Sequence, residues 1–137
     1  MAAEDNKDLA RRFLQVWGRG SPELIDELAT PDLSVYYPLF PAGPTHGAEA
    51  FKQRLAGLHA AFPDLDIIAE DVLADGDRVI VRWNISGTQQ GTFFGVAGTG
   101  KRLTWTGITI YRVAGGKIAE EVGEEDTLGL LRQLGVL

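Results

Sequence analysis

Apolar residues at Leu9, Phe13, Leu14, Val16 and Trp17 recur with helical spacing, one face of an amphipathic helix that begins near Asn6 and is ended by Gly18-Arg19-Gly20. Ser21-Pro22-Glu23 then reads as an N-cap, a first-turn proline and an early acid. They open a short helix with Leu24, Ile25 and Leu28 inward, closed by Pro31. Ser34-Val35-Tyr36-Tyr37 is a short β-prone run, and a Pro- and Gly-rich loop follows from Pro38 to Gly47. A third helix, from about Ala48 to Ala61, buries Phe51, Leu55, Leu58 and Phe62 and stops at Pro63.

Beyond Pro63 the period changes. The β-rich stretch from Asp66 to Leu73 leads to an Asp75-Gly76-Asp77 turn. Val79, Val81, Trp83 and Ile85 then alternate with Arg78, Ile80, Arg82 and Asn84, the period of a strand. Leu103 to Val113 is a second such run, ended by Gly115-Gly116; Lys117 to Glu125 is the last strand, and Leu128 to Leu134 a closing helix. Helices first and antiparallel strands afterwards predict one α+β domain over residues 1–137. Eight glycines lie between Gly87 and Gly116, and glycine inside strands marks the bends that curl a sheet. A curled sheet with helices on its concave side encloses a cone-shaped, mainly apolar pocket, the usual form of a small-molecule site.

Composition narrows the chemistry. The 137 residues contain no cysteine, which excludes disulfides, thiolate nucleophiles and thiolate metal centres, and with only His46 and His59 a multi-histidine metal site is not expected. A net charge of −6 with scattered Arg and Lys argues against nucleic-acid binding. No apolar run is long enough for a membrane span, and the acidic start, Met-Ala-Ala-Glu-Asp-Asn-Lys-Asp, has no signal-peptide core; a cytoplasmic location is the expectation.

Several segments resemble one family. They are Asn6-Lys7-x-Leu9-x-Arg11-Arg12-Phe13, Pro31-Asp32-Leu33, Gly47-x-x-x-Phe51-Lys52 and Ala61-Phe62-Pro63-Asp64-Leu65. Further along come Gly76-Asp77-Arg78-Val79, Gly91-x-x-x-Gly95, Thr99-Gly100-Lys101-Arg102, Gly116-Lys117-Ile118 and Leu130-Leu131-Arg132-Gln133-Leu134-Gly135. Together they resemble the SnoaL-like polyketide cyclases, or ester cyclases, of the nuclear-transport-factor-2-like (NTF2-like) superfamily. The resemblance implies a cone of curled antiparallel (mixed) sheet with three helices on its concave side. It also implies a homodimer around a buried pocket, no metal or organic cofactor, and an intramolecular aldol closure of a polyketide ester by acid–base residues. The family's principal Asp on the last strand falls on Gly123, its assisting His on Thr109, and its His-Asp-Pro on Tyr36-Tyr37-Pro38. Each departure removes an ionisable group.

Five acids crowd the last strand: Glu120, Glu121, Glu124, Glu125 and Asp126. Residues of one parity share a face, so Glu121, Gly123 and Glu125 form one set and Ile118, Glu120, Val122 and Glu124 the other. In the family's orientation the first set faces the pocket, where apolar surroundings raise a carboxyl's pKa and suit it to proton abstraction beside a carbonyl. Glu121 is the candidate proton carrier. The alternative is a solvated acidic strand end, with Asp126 capping the last helix.

Trp17, Tyr36, Tyr37, Phe40, Trp105, Thr109 and Glu125 are the candidate ligand contacts, Trp105 and Tyr36 foremost; aromatics at such spacing, Trp83, Tyr111 and Phe94 included, are more often plain core. His46 is a mouth-loop base or an exposed loop residue, and His59 a surface or interface residue. Gly95 to Lys101 lacks the spacing of a phosphate-binding loop and reads as a hairpin connection. The expected function is binding of a small hydrophobic carbonyl compound, with cofactor-free cyclase or isomerase chemistry if catalytic. The alternative is a non-catalytic ligand-binding or dimerisation module.

Overall fold

The computed structural model describes residues 2–38 and 43–137, so Phe40 lies outside the described residues. The chain opens with α1 (Ala2–Leu14), tightened into a 3₁₀ turn over Gln15–Trp17, and α2 (Glu23–Leu28). The strands β1 (Ala29–Tyr36) and β2 (Thr45–His46) precede α3 (Ala48–Ala61). Four long strands follow, β3 (Asp66–Asp75), β4 (Arg78–Thr88), β5 (Arg102–Ala114) and β6 (Lys117–Glu125), then α4 (Thr127–Leu134). All six strands form one curled, unclosed sheet in the order β2-β1-β6-β5-β4-β3, antiparallel except where β1 runs parallel to β6.

The first part of the chain departs from its pattern. The first helix starts four residues before Asn6, and the second ends at Leu28. Pro31 therefore does not stop a helix; it sits inside β1, where the β1–β6 register shifts between Ala29 and Ser34 and no ladder bond is needed from a proline nitrogen. Ser21 does not cap α2: its hydroxyl bonds the Glu23 carboxylate at 2.5 Å, and Pro22 occupies the cap position. Asp126 does cap α4, accepting from the Gly129 amide at 2.9 Å.

Helices α1, α2 and α3 cover the concave face, and α4 packs against β5. The core is stitched by ring contacts: Phe13 meets Tyr111 and Phe51, and Trp17 meets Phe51 and Tyr37 edge-on. The Gln133 amide clamps the part of β5 that extends beyond β6, accepting from the Thr104 amide at 2.9 Å and donating to its carbonyl at 2.7 Å. No helix among the described residues is long and apolar enough to cross a membrane.

Candidate functional site

The ladder registers place the inward side chains in rows across the sheet. Val79, Tyr111, Glu121 and Val35 make one row, and Val81, Thr109 and Gly123 the next. Trp83, Gly107 and Glu125 make a third, and Ile67, Ile85 and Trp105 a fourth. Two glycines in these rows make room for large rings: a Cβ at Gly107 would fall inside the Trp83 indole, and one at Gly123 inside the Tyr37 ring.

Glu121 is fully buried. Its Oε2 accepts from Trp17 Nε1 at 2.7 Å and from the Tyr37 hydroxyl. Tyr37 Oη lies 2.6 Å from Thr109 Oγ1, which accepts from Trp83 Nε1 at 2.9 Å. An indole nitrogen only donates, so with Glu121 ionised the donor direction follows. Trp83 gives to Thr109, Thr109 to Tyr37 and Tyr37 to Glu121, all running toward one carboxylate oxygen. Among the described residues Glu121 Oε1 has no hydrogen-bond partner, and neither has the Tyr111 hydroxyl across the ladder. Burial therefore dominates and lifts the Glu121 carboxyl to about 7 against the two donors, with the Glu125 charge adding to the rise. Burial and the Glu121 charge also push the Tyr37 and Tyr111 phenols well above their ordinary value.

Beside this network lies a cavity of about 70 Å³ walled by Trp17, Tyr37, Leu58, Ile67, Trp83, Ile85, Phe93, Phe94, Trp105 and Glu125. Glu125 is the only acid among these wall residues. Trp105 Nε1 donates to its Oε1 at 3.0 Å. Burial raises its carboxyl to about 7, opposed by the Trp105 bond and aided by the Glu124 charge. Phe93 and Phe94 come from the 89–101 connection, which the buried Gln89 ties down through the Gly91 and Val96 carbonyls and the Thr99 hydroxyl. Among the described residues no group of three His, Asp or Glu side chains is placed to hold a metal ion.

The structure thus brings Trp17, Tyr37, Trp105 and Glu125 to the cavity wall. Glu121 and Thr109 are inward and buried but stand outside that wall, in contact with Tyr37. Tyr36 is a correction. The last residue of β1, it pairs with the outward Val122, so alternation turns it to the outer face and not toward a ligand in the cavity. His46 is exposed, and His59 bonds the Trp17 carbonyl at 3.2 Å, helping to seat that indole. Trp83, Phe94, Leu58, Ile67, Ile85 and Phe93 complete the wall, and the last four belong to no motif. The readable signal for Ile85 was its alternation with Val79, Val81 and Trp83, whereas its pairing with Ile67 belongs to the folded sheet.

A curled, unclosed sheet wrapped around helices defines an α+β protein of the NTF2-like class. Residues 7–134 match the family model described as SnoaL-like polyketide cyclase, and the chain belongs to that family. It is similar to the aklanonic acid methyl ester cyclase DnrD of Streptomyces peucetius, 28% identical over 134 residues that cover 93% of this chain and 89% of that protein. Among solved structures it resembles a protein of Jannaschia sp. CCS1 described as a SnoaL-like polyketide cyclase (TM-score 0.87, 25% identity, 98% of this chain and 94% of that one). It also resembles AclR of Streptomyces galilaeus, described as a hydroxylase (TM-score 0.84, 28% identity, 98% of this chain and 87% of that one).

Proposed function

We propose that this protein binds a small, flat, hydrophobic carbonyl compound in the aromatic cavity and carries out cofactor-free acid–base chemistry on it, of the ring-closing kind its polyketide-cyclase relatives are named for. The observation that carries this reading is the inward face of β6. There two carboxyls, Glu121 and Glu125, are lifted to about 7 by burial, close to the pH at which a group both takes and returns a proton efficiently. Aromatic walls supply stacking surface, and indole and phenol groups supply the polar contacts that orient a carbonyl.

The test uses aklanonic acid methyl ester as probe. Trp17, Trp83 and Trp105 all wall the cavity, so binding is expected to quench tryptophan fluorescence saturably, and a cyclised isomer of unchanged mass should separate by chromatography. Absence of both signals up to millimolar probe would refute the reading. A second reading, a binding module without catalysis, is favoured by Gly123, which puts no acid at the family's principal position. Saturable quenching without conversion is its signature.

The proposed partner is a second copy of the chain, docked through the outer face of the sheet. In support, Leu73, Ile80, Ile110, Val122 and Tyr36 are successive ladder partners, forming an apolar row across five strands with Leu73 60%, Ile110 41% and Val122 39% exposed.

A further inference from the structure

We propose that the reacting carboxyl is Glu125, oriented by Trp105, and that Tyr37, seated in the space left by Gly123, keeps Glu121 out of the ligand's reach. The inference rests on the cavity being the ligand site. Three observations carry it.

The first is access. Glu125 belongs to the cavity wall and Glu121 does not, while Tyr37 and Trp17, which hold Glu121, do belong to it. The aromatic pair therefore stands between Glu121 and the space a ligand would fill. Gly123 makes this possible, because any side chain there would displace the Tyr37 ring. The inward acid one step further along β6 is Glu125.

The second is orientation. Trp105 Nε1 holds Glu125 Oε1 at 3.0 Å, and no hydrogen bond occupies Oε2 among the described residues. One oxygen is fixed and the other is available to a substrate C–H. Trp105 is a positioning residue, acting through the carboxylate it holds.

The third is proton exchange. Glu125 is half-buried where Glu121 is fully buried, and it closes β6 between the exposed Glu124 and Asp126. A half-buried carboxyl in the cavity wall keeps a path for its proton to solvent that the enclosed Glu121 lacks. The charge beside it is that of Glu124, and the Glu125 charge in turn acts on Glu121 within the core.

The step balances. Glu125 Oε2 takes a proton from the carbon next to a carbonyl, and the C–H electron pair forms the enolate. The enolate carbon bonds a second carbonyl carbon of the same molecule, and Glu125 returns its proton to the resulting alkoxide, so that the product is an isomer of the substrate.

The test is carboxylate alkylation by 2-bromoacetophenone, in which Glu125 displaces bromide and forms an ester located by peptide mass spectrometry. The chain has no cysteine to compete. The ester should map to Glu125, form with a rate that rises through pH 7, fall at least tenfold in Glu125→Gln, and persist in Glu121→Gln. Trp105→Phe should move the midpoint of that pH profile upward, since the indole donor favours the ionised carboxylate; a purely structural role for Trp105 would leave the midpoint in place. An ester on Glu121, or on neither glutamate, overturns the proposal. Alkylation needs no turnover, so it reads out separately from the aklanonic acid methyl ester assay: failure there with an ester on Glu125 refutes the function and not the assignment.

Discussion

Tyr37 occupies the space that a side chain at Gly123 would fill: a Cβ built on Gly123 falls among the Cδ1, Cε1 and Cζ atoms of the Tyr37 ring. The residue at 123 thus decides where the phenol at 37 sits, and the phenol in turn decides which acid meets the cavity.

The first prediction concerns that pair. Gly123→Ala forces the ring to move and should destabilise the fold by about 1–3 kcal/mol, the usual cost of overpacking. Tyr37→Ala removes the obstacle, so the double variant should recover part of the loss, a coupling of about 1 kcal/mol or more in a double-mutant cycle from urea unfolding. Additive losses would show that the two residues do not share the space.

The second concerns Glu121 and pH. Its folded pKa, about 7, lies above the ordinary 4.5, so the folded state holds its proton more tightly than the unfolded state. Its contribution is fully present below pH 4.5, is lost as pH rises to about 7, and is flat beyond. A shift of this size corresponds to about 3 kcal/mol. Glu121→Gln should remove much of this slope. Unfolding free energies at pH 5 and pH 8 should therefore lie closer together than in the parent, and an unchanged slope would place the titration elsewhere.

The third concerns Thr109, which accepts from Trp83 and donates to Tyr37. Thr109→Val leaves the Trp83 indole N–H buried without its acceptor, while the Tyr37 hydroxyl keeps its bond to Glu121, and should cost about 1–3 kcal/mol. Thr109→Ser keeps the hydroxyl and should cost less. Equal losses in the two variants would assign the effect to the methyl group.

The fourth concerns the outer face. Ile110→Glu puts a charge in the middle of the apolar row from Leu73 to Tyr36 and should convert a dimer to a monomer in sedimentation at micromolar concentration, leaving the circular dichroism spectrum unchanged. A monomeric parent, or a variant still dimeric, removes the row from self-association.

Much of the frame was legible along the chain. Strict alternation at Val79, Val81, Trp83 and Ile85 marks β4, and the same alternation sorts Glu121, Gly123 and Glu125 from Glu120, Val122 and Glu124 before any fold is known. Those facings agree with the burial pattern of β6 from Glu120 onward; Ile118, expected on the face of Glu120 and Val122, is instead fully buried, because the β5–β6 register shifts between Arg112 and Val113. The third helix and the Asp75-Gly76-Asp77 turn were readable for the same reason, because spacing and turn chemistry are local.

What local pattern does not contain is who stands in front of whom. Pro31 looks like a terminator until β6 pairs beside it and the register shift absorbs it. Tyr36 and Tyr37 are adjacent and alike, yet β1 turns one to the outer face and the other into the core. Parity alone sends Glu121 and Glu125 to the same side with equal claim. Only the packing of Trp17 and Tyr37, brought from 104 and 84 residues away in the chain, encloses one carboxyl and leaves the other in the wall. The sequence by itself determined which residues of a strand share a face, because backbone alternation is a property of neighbours. Access to the cavity was decided by the tertiary structure, because it depends on the volumes of side chains that meet only after folding.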